Sequence, residues 1–210
     1  TLDEPAEYLD WRALNFYSTL FHKGTKGATK TQFKMRGDIS RPEWQGSVSD
    51  GLMEIMYANS SQFGLSRLMR NHKARMPTIL YCYGECNHLV RANHETVSWC
   101  LKSFARECDG VLPWKSLSGE AAFQKPDDNG LFVDGSKLFG VSVIASFRVH
   151  ALRSGAQIAE LLRLLQEKNG WGRAHCEAII TQLVPLESKF VQSFSDDAAA
   201  VTFEGINGDS

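Results

Sequence analysis

The sequence predicts an α/β fold with parallel strands, and three features of its pattern lead to this prediction. Short runs rich in β-branched and aromatic residues recur along the first half of the chain. Amphipathic segments of helical length separate these runs. Strands that alternate with helices pair in parallel, because each crossover returns the chain to the same end of the sheet.

The first half of the chain alternates between helix and strand. A helix is expected over residues 6–23, where Leu9, Leu14 and Phe21 recur at roughly helical spacing. The predicted strands are residues 31–39, 52–59, 78–83 and 111–114, and the predicted helices between them are residues 61–74 and 93–107. Such a set of strands fits either a small open sheet or half of an eight-stranded barrel, and the pattern alone leaves both open.

The second half of the chain has a different pattern. Turn-forming residues dominate residues 118–130, which are predicted to be a loop. Two short apolar runs, residues 131–133 and 141–144, flank Asp134-Gly135 and predict a β-hairpin. The remaining predicted elements are helices over residues 146–168 and 172–194 and a polar tail over residues 195–210.

An acidic pair, Asp3-Glu4, opens the chain and is followed by Pro5. Pro5 lacks an N–H group and favours extended backbone for Glu4, and the helical pattern begins directly afterwards. The order of strand end, acidic pair and helix is typical of the catalytic rim of a barrel of alternating strands and helices. An ordinary helix start, with Asp3 as N-cap and Pro5 near the first helical position, explains the same residues.

Composition and cysteine spacing argue against several classes of partner. The formal net charge is −1 over 210 residues, so a polyanion such as nucleic acid is not expected. No apolar run approaches the ~20 residues that a membrane-spanning helix needs. Cys82 and Cys86 have three residues between them, and no second close pair follows at zinc-site spacing. Buried free thiols are therefore expected rather than a metal site.

Three stretches of the sequence resemble one known family. They are residues 111–114, residues 129–133 and a helical motif of the form Ser-x-Arg…Leu-Arg-x-Gly-x-Gln…Glu-Leu. In this chain the motif consists of Ser146, Arg148, Leu152, Arg153, Gly155, Gln157, Glu160 and Leu161. This pattern resembles the C-terminal region of glycoside hydrolase family 123 and its relatives, the domain of unknown function 4091 proteins. The acidic pair Asp3-Glu4 before Pro5 fits the same family.

The resemblance implies a fold and a domain organisation. The four strands would be strands five to eight of a (β/α)8 TIM-type barrel, with residues 1–117 as the second half of the catalytic barrel. Residues 118–194 would be a hairpin and C-terminal helices packed on the barrel, and residues 195–210 a loose tail. The N-terminal half of the same barrel would be a partner, either as a separate chain or as another portion of the same protein.

The resemblance also implies an activity. It is removal of a terminal 2-acetamido sugar, N-acetylgalactosamine first, from a glycan or glycolipid, with the acetamide oxygen of the sugar attacking the anomeric carbon. Adjacent carboxylates suit this route better than the usual pair, which lies at least ~5 Å apart across the sugar. Glu4 would be the general acid, and Asp3 would orient the acetamide. Neither a metal nor an organic cofactor is implied.

Substrate-binding residues are expected at the strand ends. Trp114 would form an apolar platform against the sugar, and Tyr83 would bond to the acetamide oxygen. Tyr57, Asn59 and Asp38 are further candidates, although each could instead be a core or rim residue that is satisfied locally. Two other functions stay open: a glycosidase acting on a different sugar, and a non-catalytic carbohydrate-binding protein. The sequence does not assign a cellular compartment.

Overall fold

The structure is a computed structural model that describes residues 8–28, 34–38, 54–59, 78–84, 92–105, 107–114, 116–119, 123–124 and 130–183. Its elements in chain order are α1 (Tyr8–Thr25), β1 (Arg36–Asp38), β2 (Ile55–Asn59), β3 (Ile79–Gly84), α2 (Asn93–Ala105), β4 (Gly110–Pro113), β5 (Leu117–Ser118), β6 (Phe132–Gly135), α3 (Ser136–Phe139), β7 (Val141–Ala145), α4 (Phe147–Asn169) and α5 (Arg173–Ile180). The helix predicted over residues 61–74 and the tail from residue 195 lie outside the described residues.

The first sheet has four strands in the order β1-β2-β3-β4, and every neighbouring pair is parallel. This arrangement confirms the predicted mixed α/β fold with parallel pairing. Consecutive order means that each crossover moves one strand along the sheet in the same direction. The described strands fit both the open sheet and the half-barrel, so closure into a barrel stays a prediction.

Two carboxylates secure the amino edge of this sheet, where the strands begin. Glu54 accepts a hydrogen bond from the backbone N–H of Met35 through Oε2 (2.7 Å), and its Oε1 lies 3.1 Å from Nε2 of His22 in the last turns of α1. Asp109 accepts from the backbone N–H of Leu80 (2.8 Å) through Oδ2. Glu54 therefore fixes the C-terminal end of α1 at the amino edge.

One face of the sheet is covered by α2. Leu80, Cys82 and Gly84 are buried at alternate positions of β3, and the residues between them are half-buried. The indole N–H of Trp99 in α2 donates to the Cys82 sulfur (3.2 Å), and both side chains are almost fully buried. Because side chains alternate along a strand, Tyr81 and Tyr83 lie on the opposite face of the sheet.

Helix α2 is also packed against α4, at the glycine of the family-like helical motif. A Cβ atom added to Gly155 would lie 2.8 Å from both Cβ and Sγ of Cys100 and 3.1 Å from Cα of Val97. The two helices therefore approach more closely than any side chain at position 155 allows. On a third side of α2, Phe104 and Ala105 pack with Cys176 and Ile180 of α5.

A second, smaller sheet has the order β5-β6-β7. Strands β6 and β7 are antiparallel, which confirms the predicted hairpin. The predicted turn at Asp134-Gly135 is wrong, because β6 continues through Gly135 and the short helix α3 makes the connection. The Asp134 carboxylate accepts a hydrogen bond from the backbone N–H of Ser136 (2.9 Å), which favours a helical turn at this place.

The last two helices, α4 and α5, differ in how closely their ends match the predicted ranges. Helix α4 begins after Ser146, whose side chain accepts from the backbone N–H of Arg148, and ends at Gly170 in the left-handed conformation. Helix α5 ends at Ile180 and residues 181–183 form a turn, so the helix predicted over residues 172–194 ends earlier than expected. The rest of the predicted range, from residue 184, lies outside the described residues.

Substitution of Gly155 by alanine is expected to destabilise the protein by about 1–3 kcal/mol, the range of overpacking in a closely packed core. The added methyl group meets Cys100 and the backbone of Val97 at the contact described above. The loss of stability is measured by urea unfolding, in which the variant is expected to unfold at a lower midpoint concentration of urea.

The matched control for this substitution is Gly24→Ala. Gly24 also lies in a helix, and a Cβ atom there would have nothing within 4 Å. This variant is expected to gain about 0.5–1 kcal/mol from the higher helix propensity of alanine. Equal midpoints for the two variants would contradict a close contact between α2 and α4.

Candidate active site

The strands of the first sheet end at a common carboxyl edge. Asp38 is the last residue of β1, Asn59 is the last residue of β2, and Gly84 ends β3. Trp114 follows β4 directly and donates its backbone N–H to the carbonyl oxygen of Gly84 (2.9 Å). Three of the predicted binding residues, Asp38, Asn59 and Trp114, therefore lie at or next to this edge. Tyr83 lies one residue before the end of β3, and Tyr57 lies two residues before the end of β2.

The register of the strands shows which predicted residues are neighbours. Asn59 is the Cα partner of Tyr83, and Tyr57 is the Cα partner of Asp38. Asn59 and Tyr83 therefore share a register position near the end of the sheet, and Tyr57 and Asp38 share a position two residues earlier along β2. The structure describes the backbone of Asp38, Tyr57 and Asn59, and their roles as ligands of a substrate stay predictions.

The side chains of Tyr83 and Trp114 are described in full. Tyr83 is half-buried on the sheet face opposite α2, and Trp114 is 41% exposed. An exposed indole at the carboxyl edge of parallel strands presents apolar surface where ligands of α/β proteins usually bind. The geometry is therefore suited to stacking against the apolar face of a sugar.

The predicted catalytic pair lies outside the described residues. Asp3 and Glu4 precede α1, which begins at Tyr8. Their catalytic roles stay predictions.

The sequence analysis missed three residues of the same sheet face. Tyr81, Gly110 and Leu112 lie at positions that alternate with the α2-covered residues of β3 and β4. Leu112 is 36% exposed. The spacing of two residues from Tyr83 and Trp114 was the signal that could have identified them.

A second polar group lies where α2 and α4 begin. The guanidinium of Arg148 is buried and donates from Nη1 to Oδ1 of Asn93, the first residue of α2. Burial lowers the pKa of Arg148, and the charge of Glu95 opposes this shift. A cavity of about 470 Å³ is lined by Asn93, Arg148 and His150, among others. The contact with Asn93 shows that Arg148 connects α4 to α2.

The cysteines of the described residues are free and buried. They are Cys82, Cys100, Cys108 and Cys176. Among the residues that the structure describes, no three histidine, cysteine or acidic side chains come together as a possible metal site. Within the same ranges, no helix combines the length and the apolar character needed to span a bilayer.

Comparison with known proteins identifies a structural neighbour. No family model and no curated protein matches the sequence. A solved structure that matches is a family 123 glycoside hydrolase from Clostridium perfringens, from a structural analysis of glycolipid glycan hydrolysis. The TM-score is 0.51 at 14% sequence identity, and the match covers 85% of this chain and 39% of the neighbour. The likeness shows a related fold, and the chain spans well under half of the neighbour's length.

The buried thiol of Cys100 predicts a loss of stability at alkaline pH. Burial, with a smaller contribution from Cys82, raises the pKa of Cys100 from its ordinary value of 9.0 to about 12. Because the pKa is higher in the folded state than in the unfolded state, the neutral thiol of Cys100 contributes to the stability of the fold. This contribution is complete below pH 9 and is lost as the pH rises toward 12. In this window the free energy of unfolding is expected to fall by up to about 1.4 kcal/mol for each pH unit through this group.

The Cys100→Ser variant lacks the titrating thiol and serves as the comparison. Urea unfolding at several pH values between 9 and 10.5 gives the slope of stability against pH for both proteins. The slope is expected to be shallower in the variant, whatever its stability at pH 7. Parallel slopes would show that Cys100 ionises as easily in the folded protein as in the unfolded one.

Proposed function

We propose that the chain is the C-terminal half of the catalytic barrel of a glycosidase. The proposed substrate is a terminal 2-acetamido sugar on a glycan or glycolipid, with N-acetylgalactosamine as the first candidate. The observation that carries this proposal is the parallel sheet whose carboxyl edge presents Tyr83 and Trp114. The fold shared with a family 123 glycoside hydrolase supports it.

The proposed reaction is hydrolysis assisted by the substrate itself, with retention of configuration. The acetamide oxygen attacks the anomeric carbon, while Glu4 donates a proton to the leaving oxygen. Asp3 orients the acetamide N–H and stabilises the positive charge that develops on its nitrogen. Tyr83 donates a hydrogen bond to the acetamide oxygen, and Trp114 packs against the sugar. Water then attacks the anomeric carbon, its proton passes to the Glu4 carboxylate, and the bond from that carbon to the acetamide oxygen breaks, which restores the acetamide.

The position of α1 supports a place for the acidic pair at the carboxyl edge. His22 anchors the end of α1 at the amino edge through Glu54. Leu14 and Ser18 are fully buried at a spacing of four residues on the same helix face as His22. From His22 back to Tyr8 the helix rises about 21 Å, which exceeds the ~17 Å length of a five-residue strand. If α1 runs back along the strands, a helix of this length would bring Tyr8 to the level of the opposite edge, and the proposal puts the acidic pair beyond it.

The proposal includes a partner, the N-terminal half of the same barrel. The match spans 39% of the structural neighbour, so a complete fold of that kind contains much more polypeptide. An eight-stranded barrel leaves no strand edge open, and parallel sheets are normally covered on both faces. The missing strands would pair with the edges of β1 and β4 and enclose the face that carries Tyr83.

Substitution of Glu4 by glutamine is expected to lower kcat by at least about 100-fold, the usual contribution of a general acid. Sugar binding is expected to be nearly unchanged, because glutamine keeps the size of the side chain. The measurement is release of nitrophenol from a nitrophenyl β-N-acetylgalactosaminide, with the intact mass and composition of the sample recorded. The matched control is Glu7→Gln, an acidic residue of the same segment, which is expected to retain activity.

The outcomes distinguish the proposed function from its alternatives. Inhibition by a thiazoline mimic of the cyclised acetamide supports the substrate-assisted route, and insensitivity points to a glycosidase of another type. Full activity in the Glu4→Gln variant would rule out the assigned acid. Binding of sugar without turnover in a sample that contains the whole barrel favours a non-catalytic carbohydrate-binding protein.

Substitution of Trp114 by alanine is expected to weaken binding of N-acetylgalactosamine by about tenfold, as removal of a stacked aromatic ring costs on the order of 1–2 kcal/mol. The matched control is Phe147→Ala, which removes another exposed aromatic ring (81% exposed) at the start of α4. Titration by isothermal calorimetry measures both variants. Equal affinity for the two variants would remove Trp114 from the proposed site.

A further inference from the structure

Tyr81 and Gly110 form a close contact between neighbouring strands. The two residues are Cα partners in the register of β3 and β4. A Cβ atom added to Gly110 would lie 2.7 Å from Cε1 and 2.9 Å from Cδ1 of Tyr81. The aromatic ring therefore leans across β4 into the space that any other residue at position 110 would fill.

This contact lies beneath the candidate sugar-binding residues. Tyr83 follows Tyr81 by two residues on β3, and Leu112 follows Gly110 by two residues on β4. All four positions share the sheet face opposite α2, since side chains alternate along each strand. Two residues of strand correspond to about 6.6 Å, so the Tyr81 ring lies about that far below the level of Tyr83 and Leu112.

Within the described residues, the Tyr81 ring is not fully covered on the sheet face that carries the candidate site. Tyr81 and Tyr83 are half-buried, whereas Leu112 and Trp114 are 36% and 41% exposed. Exposure thus decreases along this face, from the residues at the carboxyl edge to the half-buried ring of Tyr81. An aromatic ring at the base of such a surface offers apolar contact to C–H groups of a ligand.

We propose that Tyr81 forms the floor of the sugar subsite and selects for the 2-acetamido group. Its ring can occupy this position because Gly110 has no side chain. The inference rests on the proposed function and adds a specificity-determining residue to it. The methyl of an acetamido group reaches the floor and contacts the ring, whereas the hydroxyl that galactose carries at the same position is too short. Position 110 therefore sets the depth of the subsite.

The test compares affinities for N-acetylgalactosamine and galactose in this chain together with the rest of the proposed barrel, measured by isothermal calorimetry or saturation-transfer NMR. Gly110→Ala lifts the Tyr81 ring into the subsite, and Tyr81→Leu removes the ring and deepens the floor. Both variants are expected to lower the preference for N-acetylgalactosamine over galactose at least about fivefold, because a lost methyl contact in a pocket changes affinity by roughly 10–200-fold.

Tyr81→Phe keeps the ring and is expected to retain the preference. Gly119→Ala, at an exposed glycine with open space around it, controls for the added methyl group.

The readout is a ratio of two affinities, which general destabilisation does not change. If the wild type binds sugar and the ratio of the two affinities is unchanged in Gly110→Ala and Tyr81→Leu, Tyr81 does not form the floor of the subsite. The proposed function is not affected by that result. Absence of sugar binding in the wild type, in a sample whose intact mass and composition include the whole barrel, overturns both. If Gly110→Ala does not fold, Tyr81→Leu decides the matter. A lowered ratio in Tyr81→Phe would overturn the apolar contact in favour of a hydrogen bond from the hydroxyl.

Discussion

The packing of α2 on three sides is the constraint on which the rest of the described structure depends. One side meets β3 through Trp99 and Cys82, a second meets α4 at Gly155, and a third meets α5. Helix α5 is further tied to α2 by Arg173, whose guanidinium donates to the carbonyl oxygen of Phe104 (2.7 Å) and lies 3.9 Å from the centre of its ring. A helix buried on this many sides tolerates little change in volume, so its neighbours have fixed positions.

The candidate site follows from this packing by the alternation of side chains along a strand. Because α2 buries Leu80 and Cys82, the residues between and after them, Tyr81 and Tyr83, lie on the open face. The same alternation along β4 places Leu112 on that face, and Trp114 follows at the edge. The helical layer thus determines the candidate binding surface without contributing a side chain to it.

Local pattern predicted much of this fold, and long-range contacts decided the rest. Helices α1, α2 and α4 and strands β2, β3 and β4 lie close to their predicted ranges, because their apolar spacing is strong. The turn at Asp134-Gly135 was wrong, because a side-chain hydrogen bond to Ser136 favours a short helix there. Tyr81 was missed because its partner Gly110 is 29 residues away, and no local pattern shows which glycine will lie beneath a ring. The acidic pair was predicted from a resemblance, which does not give its geometry.

Helix α1 precedes the parallel sheet in the chain, and α4 follows the second sheet and packs against α2, the helix between β3 and β4. In a barrel each junction between neighbouring strands has room for one helix on the outside. If two copies of this chain closed a symmetric eight-stranded ring, α4 of one copy and α1 of the other would compete for the same place at both junctions. In the proposed barrel, α1 and α4 of this chain would therefore already occupy the outer positions at both junctions with the remaining strands.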